Sequence, residues 1–110
     1  MFMMPEMKVY LASGATDMRK SYDGLARLIK DEIGKDVFKG ELFVFMSKRK
    51  DRVKMLYWDR NGFCLWSKRL EKGFFRQPLL QGKVAVLQMQ ELHFLLEGID
   101  LTHRNRLKTF

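Results

Sequence analysis

Residues 42–70 read LFVFMSKRKDRVKMLYWDRNGFCLWSKRL, and this stretch decides the fold. It begins with the all-apolar run 42–46, which is typical of a strand that is covered on both faces. A tight polar turn over 47–51 follows. The segments 52–58 and 63–70 are then rich in strand formers and are separated by only four residues. The stretch therefore predicts three consecutive antiparallel strands, the last two of which form a hairpin.

The connection Asp59-Arg60-Asn61-Gly62 leaves two registers of this hairpin open. A two-residue turn at Asn61-Gly62 would put one set of side chains on a shared face: Val53, Met55, Tyr57, Cys64, Trp66 and Leu70. A type I turn with Gly62 in a bulge would instead group Leu56, Trp58, Cys64 and Trp66. The second alternative is favoured because Asp59 and Gly62 both suit it. Since a slip of one residue exchanges the two faces, the sequence leaves open which aromatic side chains are buried.

The residues before this stretch predict a strand and a helix. Met7 to Ala12 is rich in strand formers, and the turn residues 13–15 follow it. We expect Thr16 or Asp17 to cap the helix, because a side-chain oxygen there can accept from the free N–H groups of the first turn. Gly34 stands where a helix ends in a left-handed residue. The predicted apolar stripe of this helix consists of Met18, Tyr22, Leu25, Ile29 and Ile33.

The residues after the hairpin predict an irregular connection over 73–82, a last strand over 83–88 and a short helix that ends at Gly98. The apolar stripe of this helix consists of Leu92, Leu95, Leu96 and Ile99. The order is therefore strand, helix, three strands, a further strand and helix. It implies a small single α+β domain over residues 1–101 with a mainly antiparallel sheet and two helices. Residues 102–110 are expected to form a basic, frayed tail.

The net charge of +8 on 110 residues is concentrated in one segment. Residues 48–76 hold ten basic and three acidic side chains, whereas residues 1–47 are neutral overall and residues 77–110 carry +1. A localised positive field attracts polyanions such as nucleic acid, although a solvated basic surface has the same composition. The apolar runs are too short to span a membrane, and no signal peptide is recognised. The single cysteine excludes an internal disulfide, so we expect a reducing, cytoplasmic setting.

Catalytic and metal-binding patterns are missing from the sequence. His93 and His103 have no acidic or sulfur partner at ligand spacing, and Cys64 lies between apolar residues of a predicted strand. The loop 13–16 resembles a weak anion-binding loop, but it lacks the pattern of a nucleotide-binding loop and is interpreted as a turn and helix cap. Three carboxylates of the basic segment are better explained as ion-pair partners than as a two-metal site. We therefore expect neither an enzyme nor a cofactor or metal.

The predicted nucleic-acid site lies on the hairpin and the turn before it. There, cations that hold phosphates alternate with aromatic rings that stack on bases. The candidate phosphate-binding residues are Lys48, Arg49, Lys50, Arg52, Lys54, Arg60, Lys68 and Arg69. Trp58 and Phe63 are candidates for stacking or for contact with a protein partner. The alternative is that the aromatic side chains of the hairpin are simply part of the core.

Several blocks in order resemble one family of mobile-element proteins. The most specific are TDMRK (16–20), YDGL (22–25), FVF (43–45), DR (51–52), YWD (57–59), GFCLW (62–66) and KRLE (68–71). They resemble the TnpB-type accessory protein, the second reading frame product, of the insertion sequence 66 family of bacterial transposons. The resemblance covers about residues 8–101, and it is weakest over residues 77–88.

This resemblance implies a role in transposition beside a separate, larger transposase of the same element. It implies no catalytic residues. The first hypothesis is a non-catalytic accessory protein that binds DNA, namely the element ends, through residues 48–76. The alternative is a protein-interaction module that docks on the transposase through exposed aromatic side chains or the first helix. Neither hypothesis involves a membrane or a small-molecule substrate.

Overall fold

A computed structural model describes residues 6–78 and 80–99, and its centre is a five-stranded sheet. The strand order is β4-β3-β2-β1-β5, in which β1 and β2 are parallel and all other neighbours are antiparallel. This confirms the predicted α+β class with a mainly antiparallel sheet. The strands are β1 (Val9–Ala12), β2 (Leu42–Met46), β3 (Arg52–Asp59), β4 (Gly62–Arg69) and β5 (Val84–Leu87).

Helices cover both faces of the sheet. Helix α1 (Tyr22–Leu28), continued by a wider π-helical turn (Ile29–Ile33), packs on one side, here called the α1 face. Helix α2 (Met89–Glu97) packs on the other side, here called the α2 face. Strand β2 lies in the middle, and all five of its residues are fully buried, which confirms a strand covered on both faces.

The hairpin register differs from the favoured prediction. Trp58 pairs with Phe63 and Asp59 with Gly62, so the loop consists of Arg60 and Asn61. The bulged type I turn is therefore wrong. The other alternative assigned the side chains to the correct face, because Val53, Met55, Tyr57, Cys64 and Trp66 share the α2 face. It placed the turn one residue too late in the chain. The apolar pattern could not decide the register, since Leu56 and Phe63 are needed on the opposite face.

Helix α1 starts later than predicted. Its N-cap is Ser21, and neither Thr16 nor Asp17 caps it. Thr16 is buried, and its N–H donates to the carbonyl of Met46 at 2.8 Å, which fastens the loop after β1 to the end of β2. Tyr22 is 45% exposed and so lies outside the core, whereas Leu25 and Ile29 are fully buried as predicted. The helical region ends at Gly34 in the left-handed conformation, as expected.

The predicted last strand and helix are confirmed as β5 and α2. The Gln88 side chain accepts from the backbone of Glu91, and the backbone N–H of Gln88 donates to the Glu91 carboxylate, which forms a capping box at the start of α2. Leu92, Leu95 and Leu96 are buried against the sheet. The predicted tail over 102–110, with His103, lies outside the described residues, and the domain boundary at residue 101 stays a prediction.

Candidate nucleic-acid interface

The turn between β2 and β3 is a well-anchored basic projection. The Ser47 hydroxyl donates to the Asp51 carboxylate at 3.1 Å and accepts from the backbone N–H of Arg52 at 3.1 Å. The Lys50 N–H donates to the Ser47 carbonyl at 3.0 Å, and the Lys50 carbonyl accepts from the Phe75 N–H at 2.6 Å. These bonds fix the backbone, so that the side chains of Lys48 and Arg49 are exposed on a rigid turn.

Two arginines extend this turn onto the sheet. Arg52 of β3 lies directly opposite Arg69 of β4, and both are exposed. Like charges at directly opposed positions of an antiparallel pair destabilise it, unless an anion lies between them. In the part of the chain that the structure describes, the Arg69 guanidinium forms an ion pair with the Glu71 carboxylate at 3.3 Å. We call Lys48, Arg49, Lys50, Arg52 and Arg69 the basic end.

The basic end has more cations than ion pairs. Within residues 6–78 and 80–99, ion pairs join Arg19 to Asp17, Arg60 to Asp59 and Arg69 to Glu71. Lys48, Arg49, Lys50 and Arg52 therefore have no ion-pair partner in this part of the chain. Asp51 is held by the Ser47 hydroxyl inside the turn. The arrangement leaves a positive surface that can bind phosphates.

Arg19 contributes less to this field than its charge suggests. Its side chain donates to both carboxylate oxygens of Asp17, at 2.7–3.1 Å, and its backbone N–H donates to the same carboxylate. These hydrogen bonds hold the pKa of Asp17 well below its usual range. The pair therefore stays ionised and mutually neutralised at physiological pH.

The other three predicted cations either bond to main-chain carbonyls of other elements or lie at the far end of the hairpin. The Lys54 ammonium donates to the Lys20 carbonyl at 2.7 Å, just before α1. The Lys68 ammonium points to the α2 face and donates to the Leu96 carbonyl at 3.0 Å. Arg60 follows Asp59 at the hairpin tip, and Asp59 lies about 23 Å from Arg52 at a strand rise of about 3.3 Å per residue. The eight predicted cations therefore do not converge on one open face.

Lys68 is expected to support α2 and to have no part in DNA binding. Its ammonium lies at the C-terminal end of that helix, where a cation hydrogen-bonds a free carbonyl and favours the helix dipole. Lys68→Met should lower the free energy of unfolding by about 0.5–1 kcal/mol. It should leave the salt dependence of DNA binding unchanged. Urea unfolding tests the change in stability, and a salt titration of DNA binding on the same preparation tests the second expectation. A reduced salt dependence would indicate that Lys68 contacts DNA.

Trp58 and Phe63 lie at the hairpin tip in an aromatic cluster. They are a cross-strand pair on the α1 face, with ring centroids 5.0 Å apart. Phe38, which the sequence analysis missed, completes the cluster at 5.0 Å from Trp58 and 5.9 Å from Phe63. Phe38 is 60% exposed, and its only sequence signal is an aromatic residue between the charged residues Asp36 and Lys39. The aromatic cluster and the basic end therefore lie at opposite ends of the hairpin.

The described residues that the sequence offers for catalysis or metal binding lie at separate places in the fold. The structure brings no three His, Cys, Asp or Glu side chains together as a metal site in that part of the chain. Asp51 and Asp59 lie at opposite ends of β3, so the carboxylates of the basic segment do not converge. Cys64 is half-buried on the α2 face and His93 is exposed on α2. Within the described ranges, no helix has the length and apolar character needed to cross a membrane.

Comparisons with known proteins agree with the sequence resemblance. Residues 7–106 match the family model described as IS66 Orf2 like protein. The chain is similar to the uncharacterized protein y4hO of Sinorhizobium fredii, with 34% identity over 97 residues, which cover 88% of this chain and 84% of the relative. It is also similar to the uncharacterized protein y4jC of the same strain, with 32% identity over 100 residues that cover 91% and 86%. No solved structure matches the chain.

Proposed function

Because the chain belongs to the IS66 Orf2-like family, which is associated with transposition, we propose that it is a non-catalytic accessory protein that binds DNA through the basic end. The DNA is that of the element ends, and the separate transposase of the same element acts beside this protein in the cytoplasm. The family match supports a role in transposition. The concentration of cations at the basic end supports DNA binding as the way in which the protein acts.

One observation carries the proposal: Arg52 and Arg69 lie opposite each other beside a turn that presents Lys48 and Arg49. Such a concentration of like charge costs free energy in the isolated protein. A DNA backbone offsets this cost, because each phosphate placed among the cations turns repulsion into charge-assisted hydrogen bonds. Arginine suits this role, since its planar guanidinium can bind two phosphate oxygens at once.

A mobility-shift assay tests the proposal. Duplexes from the element ends and unrelated duplexes of equal length are titrated with protein at several salt concentrations. We expect binding whose logarithm falls with the logarithm of salt concentration at a slope of up to about −4.5, if all five cations of the basic end contact phosphates. Absence of binding at low salt contradicts the proposal. Equal affinity for both kinds of duplex indicates phosphate contact without reading of the sequence.

A second candidate function is docking on the transposase through the aromatic cluster of Phe38, Trp58 and Phe63. The specific observation that favours it is the exposure of Phe38, since exposed aromatic side chains are typical of interface anchors. Co-purification of the two proteins after nuclease treatment tests this function. We expect Phe38→Lys to abolish docking and Arg49→Glu with Arg52→Glu to leave it intact. The reverse pattern would assign the contact to the basic end.

A further inference from the structure

A crevice lies beside the basic end, where the two parallel strands finish. Strands β1 and β2 are parallel neighbours, so their carboxyl ends meet at the same edge of the sheet. The loop after β1 lies beside the turn after β2, to which the Thr16–Met46 hydrogen bond fastens it. A third wall comes from the connection after β4. Its polar lining side chains are Ser13, Ser47, Lys48, Lys50 and Gln77, beside four small or apolar residues that include Gly14.

From this arrangement we infer that the crevice binds a phosphate group of a nucleic-acid strand. The inference deepens the proposed function and rests on it for the identity of the ligand. Crevices outside the carboxyl ends of parallel strands are the usual place of ligand sites in open α/β sheets. Here the loop after β1 leads to the α1 face, whereas the connection that carries Gln77 follows Phe75 of the α2-face core. The crevice thus opens between chain segments that diverge to opposite faces.

The lining has the chemistry of an anion site. It contains two lysines and no carboxylate. The nearest acidic group along the chain, Asp51, is engaged by the Ser47 hydroxyl and does not line the crevice. Within the described residues, no carbonyl or carboxylate accepts from the backbone N–H of Gly14 or Ala15. Exposed amides next to a left-handed glycine such as Gly14 (φ 76°) form concavities that bind anions.

The backbone of Lys50 supports the same interpretation. Lys50 adopts a left-handed conformation with φ 61°, which is unfavourable for a non-glycine residue. The conformation is held by the hydrogen bonds of Lys50 with Ser47 and Phe75. Unfavourable backbone conformations that the surrounding structure maintains cluster at ligand sites. In this case the conformation keeps a half-buried lysine at the wall of the crevice.

The size of the crevice distinguishes it from a simple ion site. Its volume is about 390 Å³, within the range of roughly 300–1,000 Å³ for small-ligand pockets. A phosphate together with its sugar fits such a volume. The larger groove of about 770 Å³ beside α1 suits an anion less well, because Asp23, Asp31 and Asp36 line it together with its cations.

Titration of the full chain with inorganic phosphate, followed by amide NMR at constant ionic strength, tests the inference. We expect saturable shifts of the Gly14, Ala15 and Lys48 amides that equal concentrations of chloride do not produce. Lys48→Gln with Lys50→Gln should weaken phosphate binding at least tenfold, and the single variant Lys48→Gln, in an exposed turn, should do so in part. The matched control Lys30→Gln with Lys39→Gln should bind phosphate like the parent. Shifts that do not saturate, or equal binding by all variants, would overturn the inference.

The same preparations separate this inference from the proposed function. If duplex DNA binds but phosphate produces no saturable shifts, the crevice is not a phosphate site and the proposed function stands. If phosphate binds and duplex DNA does not, the proposed function is wrong, whereas the crevice is still a phosphate site. Oligonucleotides with and without a 5′-phosphate then identify the source of the group. Tighter binding of the phosphorylated strand assigns the crevice to a strand end, and equal binding assigns it to a backbone phosphate.

Discussion

Replacing Arg49, Arg52 and Arg69 by glutamine is expected to weaken duplex binding by about two orders of magnitude at about 0.1 M salt. All three arginines are exposed at the basic end, and none of them lines the crevice with Lys48 and Lys50. Each phosphate contact that is lost removes the release of about 0.9 of a counterion. The slope of log affinity against log salt should therefore become shallower by about 2.7. Mobility shifts over a range of salt concentrations measure both quantities.

The matched control carries the same change of net charge near the hairpin tip: Arg27→Gln, Lys30→Gln and Lys39→Gln. All three of these residues are exposed, and the groove that Arg27 and Lys30 line reaches Phe63 of the aromatic cluster. This control should change the affinity by less than about threefold, since these cations belong neither to the basic end nor to the lining of the crevice, and a cation that contacts no phosphate leaves counterion release unchanged. If the two triple variants weaken binding equally, the protein attracts DNA only through its net charge, and the basic end is not an interface.

A second measurement excludes unfolding as the cause. Removing the opposed charges of Arg52 and Arg69 relieves repulsion across β3 and β4. The triple arginine variant should therefore unfold at a urea concentration equal to or slightly above that of the parent. A loss of affinity together with unchanged stability would identify the arginines as ligands of DNA and not as supports of the fold.

The sequence predicted the elements well where local chemistry dominates. The all-apolar run of β2, the polar turn before β3 and the terminal Gly34 and Gly98 were all recognised correctly. The start of α1 was not, because Asp17 uses its carboxylate to bind Arg19 and not to cap a helix. Thr16, the other predicted cap, is instead fastened to β2 by its backbone N–H, a bond between residues 30 positions apart. Local patterns carry no information about such long-range bonds.

The candidate site was harder to predict than the fold. Charge density along the sequence located the basic segment, but it could not separate Arg52 from Lys54 or Lys68. The structure separates them, because Lys54 and Lys68 donate to main-chain carbonyls of other elements. These partners are determined by how α1 and α2 pack on the sheet. The crevice likewise depends on the parallel pairing of β1 with β2, which the sequence analysis did not predict.

Replacing Phe45 by alanine is expected to have the largest effect on stability. Phe45 lies in the middle of the sheet on β2 and is fully buried. It belongs to the α1-face cluster that includes Leu25 and Ile29, and its cross-strand partner is Lys54. Truncating a buried phenylalanine removes its apolar surface and leaves a cavity, which costs about 3–5 kcal/mol. Domains of this size have about 5–15 kcal/mol in total, so the variant should lose a large share of its stability.

Equilibrium unfolding in urea measures this loss, with Phe38→Ala as the control. Phe38 is the same kind of residue, but it is 60% exposed, so its truncation should cost less than about 1 kcal/mol. The dependence of the unfolding free energy on urea should stay the same in both variants, since each unfolds from a similar compact state. If Phe45→Ala cost no more than Phe38→Ala, α1 would not be packed on this face of the sheet. The hydrogen bond from the Lys54 ammonium to the Lys20 carbonyl joins β3 to the residues before α1. It could then not form as described.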